Sequence, residues 1–235
     1  MANSINSQYK YIIKQLKMQP GLKETREILN YSLKINPNDN ILTFRHLSLK
    51  YILAETIWYF SGSQSSSWIG MFANMWNNIT DDGIISNSAY GHILFKRYGF
   101  NQIEKIIEML KKDPYSRRAF ANINIPHKNK NTTKDEPCTI GLQFYIRDNK
   151  LYATGIMRSN DIYFGLPYDI IFFTELQKYI ARQLEIDTGD YTHFVVSLHM
   201  YINDETKIDN ILLNYENNNK KTYKIDFEKL INQSK

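Results

Sequence analysis

A single cysteine, Cys138, stands in 235 residues, which excludes an intrachain disulfide and a cysteine-based zinc site. There is no run of about 18 apolar residues to span a membrane, and the opening "MANSINSQYKYIIKQLK" has no apolar core of the kind a secretory signal carries. The expected location is therefore the cytoplasm. Charge is only weakly one-sided: 29 basic against 24 acidic residues leave +5, which suits an anionic small ligand but falls far short of a nucleic-acid-binding surface. No stretch marks a linker or an internal repeat, so residues 1–235 read as one domain. Core material is plentiful, at 43% hydrophobic and 14% aromatic residues with 17 tyrosines and 12 phenylalanines.

Periodicity predicts a helix over "INSQYKYIIKQLKMQ", stopped by Pro20-Gly21, then a strand over "EILNYSLKI" and a turn at "NPNDN". "FRHLSLKYILAETIWYFSG" reads as one long apolar helix ended by Gly62, with Glu55 inside it. A carboxylate in such a setting needs a reason. Residues 63–87 hold Trp68 and Trp76 and run into a loop, "TDDGIISNSAYG". "NQIEKIIEMLKK" is amphipathic, with apolar residues at 103, 106, 107 and 110, and Asp113-Pro114 breaks it. "HKNKNTTKDE" reads as an exposed loop, "GLQFYIRDNKLYATGIMRS" as a hairpin turning at Asp148-Asn149, "YDIIFFTELQKYIARQLEI" as a buried helix and "DYTHFVVSLHMYIND" as a strand. The tail "NYENNNKKTYK" is polar and Asn/Lys-rich. Helices interleaved with mostly antiparallel strands predict an α+β fold, helices packed on a mixed sheet.

Three constellations could carry chemistry. Cys138 follows a proline at the edge of a strand; it is either a buried apolar side chain or a nucleophile, and a nucleophile needs positive charge nearby to form thiolate. Arg117 and Arg118 are adjacent, either a solvated corner or a phosphate clamp. His199 and Tyr201 are two apart and share one side of a strand. A fourth stretch, "MRSNDIYFGLPYDII", gathers an arginine, a serine, an asparagine and two aspartates around a Gly-Leu-Pro turn within apolar surroundings.

In order and spacing, "LAETIWYFSG", "NSAYG", "DPYSRRAF", "PCTIGLQFYI", "RSNDIYFGLPYD" and "SLHMY" resemble the thymidylate synthase superfamily, over roughly residues 45 to 203. The resemblance implies a thymidylate synthase-like fold, a homodimer with a sheet face at its interface, a pyrimidine nucleoside monophosphate substrate and 5,10-methylenetetrahydrofolate as cosubstrate, without metal. It implies Cys138 as the nucleophile that adds to C6 of the base, Glu55 as the manager of protons through water, and Tyr90 as the tyrosine near the nucleophile. Arg158 and Ser159 match the phosphate-binding pair, with Arg117 and Arg118 supplied to the phosphate site of the other subunit. His199 and Tyr201 match the pair that holds the sugar 3′-hydroxyl; Asp161, with Trp76, belongs to the folate side. Arg26 stands at the mobile phosphate-loop arginine, although the Arg-Thr-Gly context of that loop is missing.

Thymidylate synthases end the Gly-x-Pro turn in asparagine, which reads the O4 and N3–H edge of uracil; this chain has Asp169. Cytosine offers an N4 amino donor beside N3, which suits a carboxyl group, whereas O4 of uracil would set acceptor against acceptor, a buried mismatch of ~1–3 kcal/mol. The aspartate could also hold a proton at N3 as the thiolate adds. Phage deoxycytidylate hydroxymethylases resemble the chain in the Met157–Asp161 string, in Asp169, in Cys138-Thr139 and in Ser197–His199. The expected reaction is therefore hydroxymethylation of dCMP at C5. The ending "DFEKLINQSK" lacks the apolar segment that closes synthases against water, in keeping with a reaction that uses water. A dCMP methylase, a CMP hydroxymethylase and a noncatalytic nucleotide-binding relative are the alternatives. The Asn/Lys/Ile richness suggests AT-rich DNA, and a phage that replaces cytosine is a plausible setting.

Overall fold

The computed structural model describes residues 4–124 and 132–234. Helix α1 (Ile5–Lys17) is capped by Ser4, whose hydroxyl accepts from the Ser7 amide, and it buries Ile5, Tyr9, Ile12, Ile13 and Leu16, one stripe at helical spacing. Strand β1 (Thr25–Ile35) follows. Helix α2 (Leu49–Phe60) is shorter than its sequence predicts: Ser48 caps it, accepting from the Tyr51 amide, and residues 43–46 form a turn before it. Arg45 faces away from the helix, its guanidinium donating to the Tyr163 carbonyl and stacking 3.5 Å from that ring.

The segment expected as a loop around "TDDGIISNSAYG" is partly helical. The short α3 (Ser66–Ile69) and α4 (Met75–Ile79) precede it, and α5 (Tyr90–Phe95) starts within it. Gly91 lets α5 approach α2 closely, since a Cβ there would lie 1.7 Å from the Tyr59 carbonyl oxygen. Helix α6 (Gln102–Lys112) is capped by Asn101 and leads to β2 (Phe120–Asn122). The "HKNKNTTKDE" stretch lies partly outside the described residues; of its remainder, Asp135 is buried rather than exposed.

Strands β3 (Thr139–Arg147) and β4 (Lys150–Asp161) form the expected hairpin. Asp148 and Asn149 both have φ near +50° (49° and 55°), as a two-residue hairpin turn requires. Helix α7 (Leu166–Gln183) crosses to β5 (Asp187–Tyr201), which runs parallel to β4; all other pairings are antiparallel. The five strands lie in the order β1-β5-β4-β3-β2. Two further helices, α8 (Glu205–Glu216) and α9 (Phe227–Ser234), occupy the tail that sequence patterning left without structure; α9 buries Phe227 and Ile231 and packs on α2.

Helices cover one face of the sheet. The other face, in this single chain, leaves Leu29 61% exposed, along with Val196 and Ile140. Among the described residues no helix is long and apolar enough to cross a membrane.

The topology sets up the site. Because β4 and β5 are parallel, their C-terminal ends lie side by side, pairing Asp161 with His199 and Ser159 with Ser197. Helix α7 starts four residues beyond β4, so its first turn returns Asp169 against Asn160.

Candidate active site

A cavity of about 600 Å³ opens at these strand ends, between α2, α4, α5 and the start of α7, within the usual ~300–1,000 Å³ range of small-molecule sites. Cys138, Glu55, Asp169, Tyr90, Arg158, Ser159, His199, Tyr201, Asp161 and Trp76 all line it, although they are drawn from every third of the chain.

Cys138 is half-buried just before β3. Burial pushes its thiol above the ordinary range, and the Arg158 guanidinium opposes that shift. Arg158 also builds the approach to the cysteine: its Nε and Nη2 donate to the carbonyls of Pro137 and Glu136 at 3.0 and 2.9 Å, and its amide donates to the Cys138 carbonyl. From the other side Asp135 pins the same segment, its carboxylate accepting from the Ser86 hydroxyl, the Asn87 and Ser88 amides and the Ser88 hydroxyl.

Glu55 projects from α2 and is almost fully buried. Desolvation raises it to about 8, against the stabilising bond from Tyr51 and with a further push from Asp169. The Trp76 Nε1–H donates to the Tyr51 hydroxyl at 2.8 Å, and an indole can only donate; the Tyr51 proton therefore goes to Glu55 Oε1, 2.7 Å away. Trp76 is thus tied through its nitrogen to the carboxyl group, with its ring against Trp58.

Asp169 sits one turn into α7, where burial pushes it up to about 7; the Asn160 amide, donating to Oδ2 at 2.8 Å, works the other way. Asp161 accepts from the Tyr163 and Phe164 amides, 3.1 and 2.6 Å away, and so shapes the turn from β4 into α7 as well as lining the cavity. His199 and Tyr201 meet edge to face with ring centroids 5.2 Å apart, and the Ser159 hydroxyl lies 3.4 Å from His199 Nδ1. Tyr90 packs between Tyr59 and Phe173, and burial holds its phenol well above the usual value.

Arg26, expected at the phosphate, is not in the cavity, and Arg117 and Arg118, expected to serve the other subunit's site, do not line it either. Arg26 lies on edge strand β1, its Nε 2.8 Å from Glu205 Oε1 and its Nη1 on the Gln19 carbonyl, so its charge is already engaged away from the pocket. Arg117 and Arg118 are exposed in the connection between α6 and β2. Tyr51 and Asp135 escaped the sequence reading. Tyr51 is one helical turn before Glu55, a spacing that announces such a pair; nothing local signals the partners of Asp135, which lie 47 to 49 residues away. Among the described residues no group of three His, Cys, Asp or Glu side chains converges to hold a metal ion.

A family model described as thymidylate synthase matches residues 8–234. Among curated relatives, the deoxyuridylate hydroxymethyltransferase of Bacillus phage SP01 is 28% identical over 203 residues, covering 80% of this chain and 53% of that protein. The thymidylate synthase of Francisella philomiragia subsp. philomiragia is 28% identical over 197 residues, covering 76% of this chain and 72% of that protein. The chain thus spans about half the length of the phage relative.

Proposed function

From the premise that the chain belongs to the thymidylate synthase family, we propose that it transfers a one-carbon unit to C5 of a cytidylate, dCMP before CMP, and finishes by adding water to give the 5-hydroxymethyl nucleotide. The observation that carries the choice of base is Asp169: a carboxyl group facing the cavity, buried, raised to about 7 and held by an amide donor on one oxygen. Near neutrality such a group shares one proton with its partner. As the carboxylate it accepts from N4–H of cytosine and from a proton on N3, whereas O4 of uracil would then meet it acceptor to acceptor.

The side chains divide the work. Cys138 adds to C6 as the thiolate, with Arg158 the charge that favours it. Asp169 keeps the proton at N3 and so accommodates the electron density that the addition pushes into the ring. Glu55, oriented by Tyr51 and raised to about 8, accepts and returns protons through water, at C5 and then as water adds. His199 and Tyr201 hold the sugar, and Arg158 and Ser159 the phosphate. The cosubstrate 5,10-methylenetetrahydrofolate would supply carbon at the oxidation level of formaldehyde, so water addition needs no redox partner. The cavity suits a flat heteroaromatic ligand: Trp76, Ile79, Met75, Phe164 and Tyr168 give it an apolar wall, beside Asp161.

The second copy of the chain belongs to this proposal. The open sheet face with Leu29, Val196 and Ile140 is apolar enough to be covered, and Arg117 and Arg118 would then reach the phosphate of the neighbouring subunit.

The test is turnover with methylenetetrahydrofolate and dCMP, CMP or dUMP in parallel, with the nucleotide product weighed. The expected outcome is dCMP gaining one CH2O unit, dUMP at least ~10-fold slower in kcat/KM, and a shift toward dUMP in Asp169→Asn. A methyl product with dihydrofolate would overturn the water step; preference of the unaltered protein for dUMP would overturn the base assignment.

A further inference from the structure

Behind Asp169 runs a chain of buried polar groups that the reaction itself does not use. Asn160 Nδ2 is 2.8 Å from Asp169 Oδ2, Asn160 Oδ1 is 2.9 Å from His193 Nε2, and His193 Nδ1 is 2.9 Å from the Tyr191 hydroxyl. Asn160 is 2% exposed, and His193 and Tyr191 are fully buried. Two glycines make room for it: a Cβ at Gly155 would lie 2.1 Å from the Tyr191 oxygen, and one at Gly165 would lie 2.8 Å from Asn160 Nδ2.

The direction of this chain is decided at its far end. The Tyr191 hydroxyl makes no other hydrogen bond among the described residues, so its proton must go to His193 Nδ1 or remain buried without an acceptor. A histidine that accepts at Nδ1 and stays neutral, as burial dictates by lowering it to about 3, carries its proton on Nε2. Nε2–H then donates to Asn160 Oδ1, which turns the amide nitrogen toward Asp169. The opposite orientation would let Asn160 present its oxygen to Asp169, but would strand the tyrosine proton.

We infer that Tyr191, His193 and Asn160 are positioning residues, a one-way relay that holds Asp169 Oδ2 as an acceptor and fixes the plane of its carboxyl group, so that its remaining edge reads the base. The inference rests on the proposed cytidylate reading for its purpose, but its geometry does not. With the relay broken, Asn160 can turn over, the carboxylate loses a charge-assisted bond and the edge shown to the base is no longer fixed. Other ionisable groups face Asp169 from each packed element, namely Glu55 and Tyr59 on α2, Tyr90 on α5, Cys138 ahead of β3 and Asp161 on β4. The comparison must therefore be between variants that leave all of these in place.

His193→Phe removes the relay, Tyr191→Phe removes only the group that orients it, and His193→Gln retains both a donor toward Asn160 and an acceptor toward Tyr191. The first readout needs no substrate: the carboxyl 13C shift of Asp169, assigned by its absence in Asp169→Asn, is followed against pH. The expected midpoint lies near 7 in the unaltered protein, about one unit higher in His193→Phe, raised by less in Tyr191→Phe, and back near the original in His193→Gln. The second readout is the ratio of kcat/KM for dCMP to that for dUMP across pH, expected to fall about 10- to 100-fold in His193→Phe and to recover in His193→Gln. Unmoved midpoints in folded His193→Phe and Tyr191→Phe would overturn the relay. Moved midpoints in a protein that refuses dCMP would keep the relay and overturn the cytidylate reading. Should His193→Phe fail to fold, Tyr191→Phe decides, because it removes a single oxygen.

Discussion

Burial raises Glu55 to about 8 and Asp169 to about 7, each by desolvation first, so both carboxyl groups oppose folding once they ionise. A carboxyl whose folded value lies above its unfolded one makes the native state hold more protons than the unfolded chain. The stability associated with these groups is therefore full below about pH 4 and is lost as pH rises toward 7 and 8. The loss is on the order of 4 to 5 kcal/mol per group at 1.36 kcal/mol per pH unit. Asp169→Asn and Glu55→Gln keep an acceptor for Asn160 and Tyr51 but cannot ionise. Both should match the unaltered protein in thermal midpoint near pH 4 and exceed it near pH 8. Calorimetry at several pH values checks this, and parallel curves for all three proteins would show that neither group is held as argued. Such costs are usual where a site keeps a group poised for proton transfer.

Among the elements, α2 and α5 together carry Glu55, Tyr51, Tyr59 and Tyr90, and their spacing depends on Gly91. With a Cβ only 1.7 Å from the Tyr59 oxygen, Gly91→Ala must push α5 away from α2. We expect a loss of about 3 kcal/mol or more in urea unfolding, with activity falling further than stability because Tyr90 moves with its helix. A change under 1 kcal/mol would mean that the two helices are not locked here. Elements were also where sequence patterning was most and least informative. α1, α6 and the β3–β4 hairpin follow from spacing, caps and the Asp148-Asn149 turn. The start of α2 was placed too early because Phe44 and Leu47 continue its apolar spacing, and only the Ser48 cap ends it. α9 was missed because its burial, through Phe227 and Ile231 against α2, depends on a surface far away in sequence.

At the scale of the whole molecule, one sheet face bears Leu29, Val196 and Ile140 in the open, while Arg117 and Arg118 are exposed and do not line the cavity of their own chain. If two chains share each phosphate site, then Cys138→Ala and Arg118→Glu, each inactive alone, should restore activity when mixed, because a hybrid dimer has one site with neither defect. Recovery of up to about a quarter of normal turnover is expected from random pairing, with two subunits per dimer. No recovery, with subunit exchange verified by labelled chains, would place the arginines outside the site. Leu29→Glu should shift the protein toward monomer in sedimentation, with activity lost in step.

Much of the chemistry could be read from neighbours along the chain. The Arg-Ser-Asn-Asp string, the Gly-Leu-Pro turn ending in Asp169, the His-x-Tyr alternation and the proline before Cys138 are local patterns, and local patterns follow from backbone period and turn preference. The partners of those residues were another matter. That Arg26 is held by Glu205, 179 positions away, and that Asn160 is turned by His193, 33 positions away, depends on strand register and on a parallel crossover. One step of register would exchange the buried face of a strand for the exposed one. The sequence alone thus determined which groups are present and on which elements they ride. The tertiary structure alone decided which of them share a hydrogen bond, because that choice is made by packing between segments that no local rule connects.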